Sequence, residues 1–280
     1  MNSSRSEVLV ANIAFHSAIA DRYDAMNPHT GPENASRVER VLLELRDVTG
    51  GTRLLDLGCG TGFIIGIAKA HFDLVAGLDA TTSMLEQVDT SILRPGGQVR
   101  VQEGNSESIP HPDGSFDVCT GYSFLHHLYN LEPTLREAHR VLAPGGRVFF
   151  GLEPNLHFWR LVRDCSSLEG LSPIVAREVE ATMHISHSVA EEVGVSEATV
   201  GLAEFQKIEQ GGFDPKEICG LLERVGFVDV EARYDWYLGQ GEVTRTRGPQ
   251  ESDMIERYLR EGLPATRSLF KYLSFFGTRA

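Results

Sequence analysis

Gly58, Gly60 and Gly62 alternate behind the short run Leu54-Leu55-Asp56-Leu57 and ahead of Phe63-Ile64-Ile65. That order suits a buried strand, a tight turn and the start of a helix. Glycine at these positions lets the backbone take positive φ and lets a ligand approach without meeting a Cβ. Alone, such a turn fits a nucleotide-type site or an ordinary tight loop. Asp79 adds to it by closing a second apolar run, Leu74-Val75-Ala76-Gly77-Leu78, 17 residues beyond Gly62. In nucleotide-binding α/β folds an acid there accepts hydrogen bonds from both hydroxyls of a ribose. His126 and His127 are candidates for a catalytic base, because histidine titrates near neutral pH. An LHHL run also suits a helix start with one ring bonded to a backbone carbonyl. Glu153 is the third catalytic candidate, fitted either to bind a substrate amine or hydroxyl or to close its own loop.

The elements that must carry these residues alternate in type. Two amphipathic helices, Glu7 to Met26 and Glu33 to Arg46, precede the first strand, separated by Asn27-Pro28-His29-Thr30-Gly31-Pro32. Strands follow at Leu54, Leu74, Val99, Phe116 and Arg147, with helices after Gly62, after Thr81 and over Leu131 to Leu142. Parallel neighbours need crossover helices, so this alternation predicts an α/β fold with a doubly wound, mostly parallel sheet. Ligands in such sheets sit at the carboxyl ends of the strands, where Asp56, Asp79, Asn105, Tyr122 and Glu153 all fall. About 60 residues then separate Leu152 from the helix expected at Pro215 to Arg224, far more than an ordinary connection. Helices are expected there over Phe158 to Leu168, Pro173 to Val193 and Ser196 to Ile208. Phe158, Trp159, Met183, His184 and His187 are candidate pocket residues. His184 and His187 have the spacing to share a metal but no third ligand is evident, so no metal is expected.

Composition narrows the partners. The 280 residues are 41% hydrophobic and 23% charged, the balance of a water-soluble globular protein, and no apolar run is long enough to span a membrane. The N-terminus lacks the apolar core of a signal peptide. Cys59, Cys119, Cys165 and Cys219 form no CxxC pair and read as reduced thiols of a cytoplasmic protein. The net charge of −13 and the lack of a basic stripe argue against nucleic acid and anionic membranes and favour a small-molecule partner.

Five segments in order, LLDLGCGTGF, GLDATTSML, EGNSESIP, FDVCTGYSFLHHL and EAHRVLAPGGRVFF, give the chain its resemblance to the class I S-adenosylmethionine-dependent methyltransferases of type 11. The resemblance covers Leu54 to Leu152, with a weaker echo at Leu221 to Ala232. It implies a seven-stranded Rossmann-like sheet, S-adenosyl-L-methionine as cofactor and S-adenosyl-L-homocysteine as product. It also implies roles. Asp56 and the turn Gly58-Cys59-Gly60 with Gly62 would hold the methionine end, and Asp79 the ribose. Ala80 and Met84 would flank the adenine, with Ile109 on its far side. Asn105, where the family often has an acid, would accept from the adenine amine, and Ser106 would offer its backbone N–H to a ring nitrogen. Tyr122 would lie near the sulfonium, and Tyr23 on the first helix would close over the cofactor.

On this reading residues 1–50 are N-terminal lid helices and 51–152 the cofactor-binding core. Residues 153–213 form a helical insertion capping the substrate, and 214–280 complete the sheet and end in a tail. Leu269 to Gly277 is left either to form the seventh strand or to cover a cavity or subunit contact, which leaves a homo-oligomer open. The implied function is methyl transfer to an oxygen, nitrogen or carbon nucleophile of a small molecule by in-line displacement. Two alternatives stand beside it: a nicotinamide-dependent oxidoreductase and a non-catalytic S-adenosylmethionine-binding module. The first wants a further glycine where Phe63 stands.

Overall fold

The computed structural model describes residues 3–165 and 167–280. Its centre is a seven-stranded sheet of β1 (Arg53–Leu57), β2 (Leu74–Asp79), β3 (Gln98–Glu103), β4 (Phe116–Tyr122), β5 (Leu142–Pro154), β6 (Phe227–Tyr237) and β7 (Phe270–Arg279), in the order β3-β2-β1-β4-β5-β7-β6. The first five strands pair in parallel, and β7 lies antiparallel between β5 and β6. The last stretch is therefore a strand. Its alternation places Phe275 with one core layer and Phe276 with the other. Strand β6 runs as far as Tyr237 because β7 supplies partners up to Phe270.

Helices α1 (Arg5–Ile19), α2 (Tyr23–Met26) and α3 (Pro32–Thr49) precede the sheet. Helices α4 (Phe63–Ala68), α5 (Thr82–Leu85) and α6 (Leu131–Val141) connect the early strands. Between β5 and β6 come α7 (Leu156–Arg163), α8 (Pro173–Met183), α9 (Ile185–Val193), α10 (Glu197–Ala203), α11 (Phe205–Ile208) and α12 (Pro215–Val225). Helices α13 (Gln240–Arg247) and α14 (Pro249–Glu261) stand between β6 and β7. Several expected helices are broken in two. Residues 7–26 divide at Ala20–Arg22, 173–193 at His184 and 196–208 at Glu204, where His184 and Glu204 leave helical geometry. The helix expected over 158–168 ends at Arg163, and position 166 lies outside the described residues. Thr81 starts α5 without a side-chain capping bond.

Adjacent residues of a strand point to opposite faces, which explains the two cores. Leu55, Leu57, Val148 and Phe150 pack against α6 and α12, whereas Leu54, Val75, Val118 and Phe149 pack against α3 and α4. A third cluster ties Phe15 and Ile19 of α1 to Ala190, Val193, Val200 and Ala203 of the α9–α10 pair. The first helix is thus fastened to the segment that follows β5, and both lie at the carboxyl end of the sheet.

Candidate functional site

Register builds the first half of the site. Asp56 of β1 lies beside Thr120 of β4, whose hydroxyl donates to Asp56 Oδ1 at 2.8 Å. Burial pushes the Asp56 carboxyl up to about 7. The turn that follows requires glycine. Gly58, Gly60 and Gly62 have φ of 62°, 52° and 91°, and a Cβ on Gly58 would lie 2.1 Å from Phe124 Cδ2. The Gly60 N–H donates to Asp79 Oδ2 and the Thr81 N–H to Oδ1, both at 2.8 Å, so Asp79 is fixed where β2 ends beside the turn. Cys59 turns its sulfur inward against Gly77, and the turn presents its backbone rather than its thiol.

A cleft runs over these groups, lined by Asp56, Gly58, Cys59, Gly60, Asp79, Ala80, Met84, Asn105, Ser106 and Tyr122. Gly62, by contrast, backs onto Val88 and caps α4 behind the cleft wall. Asn105 spends its Oδ1 on the Glu107 N–H at 2.9 Å, and the Ser106 hydroxyl pairs with Thr134 at 3.0 Å. Ile109 packs into the core and lines no part of the cleft. Tyr122 lines the cleft with its ring, but its hydroxyl exchanges hydrogen bonds with the Asn34 amide at 2.8 and 3.0 Å. Helix α1 covers the opening with Val8, Leu9, Asn12 and His16. An Arg5–Glu107 ion pair and a 2.7 Å bond from the Thr61 hydroxyl to Asp24 fasten this cover. Tyr23 lies under it, its phenol held above the usual range by burial and the Glu204, Asp79 and Asp24 carboxylates.

A second cavity of about 740 Å³ adjoins the cleft, and Tyr23, His29, Ser123, His16 and His127 border both. His126 stands on its wall in a single 3₁₀ turn, Leu125–His127. That turn is anchored by Glu153. The Phe124 and Leu125 N–H groups donate to Oε1 at 2.9 and 2.7 Å, and the His126 N–H and Nδ1 donate to Oε2 at 3.1 and 2.8 Å. A bulge between Phe150 and Glu153, with Leu152 at φ 60°, re-aims β5 so that Glu153 points beneath the turn. Glu153 is 0% exposed and lines neither cavity, so it does not reach a substrate; its geometry is that of a loop anchor.

His127 Nδ1 donates to the Ala203 carbonyl at 2.7 Å, and burial and the neighbouring His126 hold its pKa well below the ordinary value. His29 is pushed down to about 4, chiefly by burial. With Nδ1 engaged as a donor, His127 keeps a free lone pair on Nε2, whereas His126 Nε2 faces a carboxylate. Glu204 Oε2 lies 3.5 Å from His126 Nε2, and Lys207 Nζ lies 2.7 Å from that carboxylate. His126, His127 and Glu204 bring ligand atoms within 4.8 Å of one another, close enough to share a metal ion. The Lys207 ammonium already neutralises the only carboxylate of that set, which is poor chemistry for a cation site.

Glu204, Lys207, His16, His29 and Asn34 carry no local signal of function. Glu204 and Lys207 look like a solvated i, i+3 pair until the fold brings them to His126, 78 residues earlier in the chain. Among the expected pocket residues, Met183, His184 and His187 are exposed, and His187 pairs with Glu197. Phe158 and Trp159 line a smaller cavity with Lys207, Lys271 and Tyr272. Beyond Tyr122, a groove of about 520 Å³ collects Arg37, Arg40, Arg233, Arg257 and Arg260 around Asp235 and Glu256.

Comparisons with known proteins bear on this geometry. Residues 55–150 match the model of a family described as a methyltransferase domain. The ubiquinone/menaquinone biosynthesis C-methyltransferase UbiE of Vibrio parahaemolyticus is 30% identical over 190 residues, which span 62% of this chain and 71% of that protein. The 27-O-demethylrifamycin SV methyltransferase of Amycolatopsis mediterranei is 31% identical over 151 residues, 49% of this chain. The chain spans 56% of that enzyme's length, about half, and 41% of an uncharacterized 37.1 kDa protein in transposon TN4556 of Streptomyces fradiae that is 34% identical over 144 residues. Among solved structures, an S-adenosylmethionine dependent methyltransferase from Mesorhizobium loti superposes with a TM-score of 0.52 at 18% identity, covering 86% of this chain and 96% of that one. That likeness shows the same fold. Among the described residues, no helix is long and apolar enough to cross a membrane.

Proposed function

We propose that this chain, which belongs to the class I S-adenosylmethionine-dependent methyltransferases, methylates a small organic molecule held in the 740 Å³ cavity, with His126 as the base. The observation that carries this reading is the adjacency of the cavity and the glycine-lined cleft, with the His126 ring on the cavity wall. The cleft fits the cofactor's amino-acid and ribose ends. Gly58 and Gly60 keep its floor free of side chains, and Asp56 and Asp79 offer carboxylates at two points along it. We assign the methionine end to Asp56 and the turn, the ribose to Asp79 and the adenine to Ala80, Met84, Asn105 and Ser106.

When bound, S-adenosylmethionine supplies a methyl group on a sulfonium, which leaves to an in-line nucleophile while sulfur keeps the bonding electrons. The rest of the task is alignment, exclusion of water and removal of a proton. His126 Nε2 is the acceptor for that proton, and Glu153 on Nδ1 fixes the tautomer and the ring's orientation. His127, kept neutral by burial, borders both chambers and contributes shape. Helix α1 and Tyr23 act as a lid, and the 153–213 segment forms the roof of the acceptor chamber. A shared core cluster ties the lid to the roof.

The test is single-turnover transfer of a labelled methyl group to a metabolite extract, with cofactor binding followed by calorimetry. The expected result is label in an organic-extractable small molecule, lost in His126→Ala. Tight binding of S-adenosylhomocysteine with no transfer to any fraction would overturn the reading.

A further inference from the structure

We infer that the acceptor is a neutral, weakly acidic hydroxyl compound on a large apolar skeleton (a phenol or an enol), and that Lys207 and Glu204 of the 153–213 segment stabilise the charge pair formed when it is deprotonated. This rests on the reading of His126 as base given above.

Glu204 and Lys207 are held over His126 by bonds that do not involve their own charges. His127 Nδ1 and the Asn12 amide donate to the Ala203 carbonyl at 2.7 and 3.3 Å, and Gln206 Nε2 donates to the Leu128 and Tyr129 carbonyls at 2.9 and 3.2 Å. Residues 203–206 are therefore fastened to residues 127–129 on both sides of Glu204. The carboxylate is fixed 3.5 Å from His126 Nε2, opposite the Glu153 carboxylate at Nδ1.

On proton transfer the acceptor's O–H bond breaks, an N–H bond forms at Nε2, and the electron pair stays on oxygen. The imidazolium so formed lies between two carboxylates. The oxyanion is left in a chamber lined by Lys207, whose charge is opposed by burial but sustained on balance by Glu204, Tyr272 and Glu153 together, so that it stays protonated. Both products of the step thus meet opposite charge. An amine makes the contrary demand, becoming cationic on methylation beside an ammonium already present.

The rest of the cavity argues against an acceptor that enters as an anion. Its ionised lysines are paired, Lys207 with Glu204 and Lys271 with Glu178 at 3.2 Å. Ile19, Met26, Val189, Val200, Ile208 and Trp236 supply apolar wall. A permanently anionic acceptor would have to compete with Glu204 and Glu178 for those two ammonium groups. A volume of about 740 Å³ suits a drug-sized body rather than a two- or three-carbon metabolite.

The probe is alizarin (1,2-dihydroxyanthraquinone), whose anion absorbs at longer wavelength than the neutral molecule. It is titrated with pH on the S-adenosylhomocysteine-loaded protein; the titratable groups facing it are His16, Tyr23, His29 and Glu33 before the sheet, His126 and His127 after β4, Glu178, Glu192, Glu204 and Lys207 of the 153–213 segment, and Lys271 and Tyr272 of β7. Bound alizarin should ionise about one pH unit or more below free alizarin. Lys207→Met should abolish that shift, while Lys207→Arg and Lys271→Met keep it. The isosteric 1,2-diaminoanthraquinone should bind about tenfold or more weakly. An unshifted midpoint, equal shifts in wild type and Lys207→Met, or failure to bind alizarin overturns the inference. The wild-type and Lys271→Met titrations keep it falsifiable if Lys207→Met does not fold. Methyl transfer to amines without the alizarin shift sinks this inference alone. The shift without methyl transfer to any acceptor leaves the oxyanion site and sinks the function proposed above.

Discussion

The cofactor cleft and the acceptor chamber share a wall but are built from different materials. The floor of the cleft is made of backbone, from glycines at positive φ to N–H groups fixed on Asp79, within about 50 residues of chain spanning β1, β2 and the end of β3. The chamber is made of side chains, an apolar wall carrying a few paired charges, from α1, the turn after β4, residues 153–213 and β7. Backbone geometry tolerates no substitution that adds a Cβ. Charge networks tolerate reshaping if each buried ion keeps a partner. The same fold can therefore hold one cofactor strictly while its acceptor end varies.

If that contrast holds, Gly58→Ala has the largest effect. Its Cβ would collide with Phe124, which also anchors the histidine turn, so cofactor binding should vanish in calorimetry and the melting temperature should fall. Gly66→Ala, in α4 with nothing near its Cβ, serves as the matched neutral control. Next, His126→Ala should lower turnover by about 10²–10⁴-fold with cofactor affinity unchanged. An equal loss of affinity would mean that the two halves are not separable.

Asp56→Asn gives a pH-dependent effect. Burial raises the folded carboxyl to about 7, from an ordinary value of 3.8. Its stabilising contribution is therefore complete below the unfolded pKa and is lost as pH rises through 7, leaving a charged carboxylate in a dry site. The ligand-free variant should gain about 2–4 kcal/mol over wild type at pH 8.5 and clearly less at pH 5, measured by chemical denaturation. A gain independent of pH would show that Asp56 is not the group responsible. The smallest effect belongs to the cover. Asp24→Ala removes the bond from Thr61 and should weaken cofactor binding by about 0.5–1 kcal/mol, read as faster cofactor release in stopped flow.

The same contrast explains what the sequence disclosed. The strand–turn–helix around Gly58 and the acid at Asp79 are local patterns, legible because the chemistry and the chain order coincide. Glu153 was ambiguous, because its burial depends on a bulge at Leu152 that no residue type announces. Glu204 and Lys207 were illegible. Their spacing is that of a surface ion pair, and only the α10–α11 break and the bonds from His127 and Gln206 turn them inward. The seventh strand hid in an aromatic stretch whose phenylalanines serve two opposite cores, so no single amphipathic face marked it.

One contact has a consequence for fidelity. The pair Tyr122–Asn34 separates the cofactor cleft and the acceptor chamber from the arginine groove on the outer face. Tyr122 borders both the cleft and the groove, and Asn34 both the groove and the chamber, so their hydrogen bond closes the junction of the three. Breaking it in Tyr122→Phe would leave binding largely intact yet admit water as a rival nucleophile, so that cofactor consumption would outrun product formation.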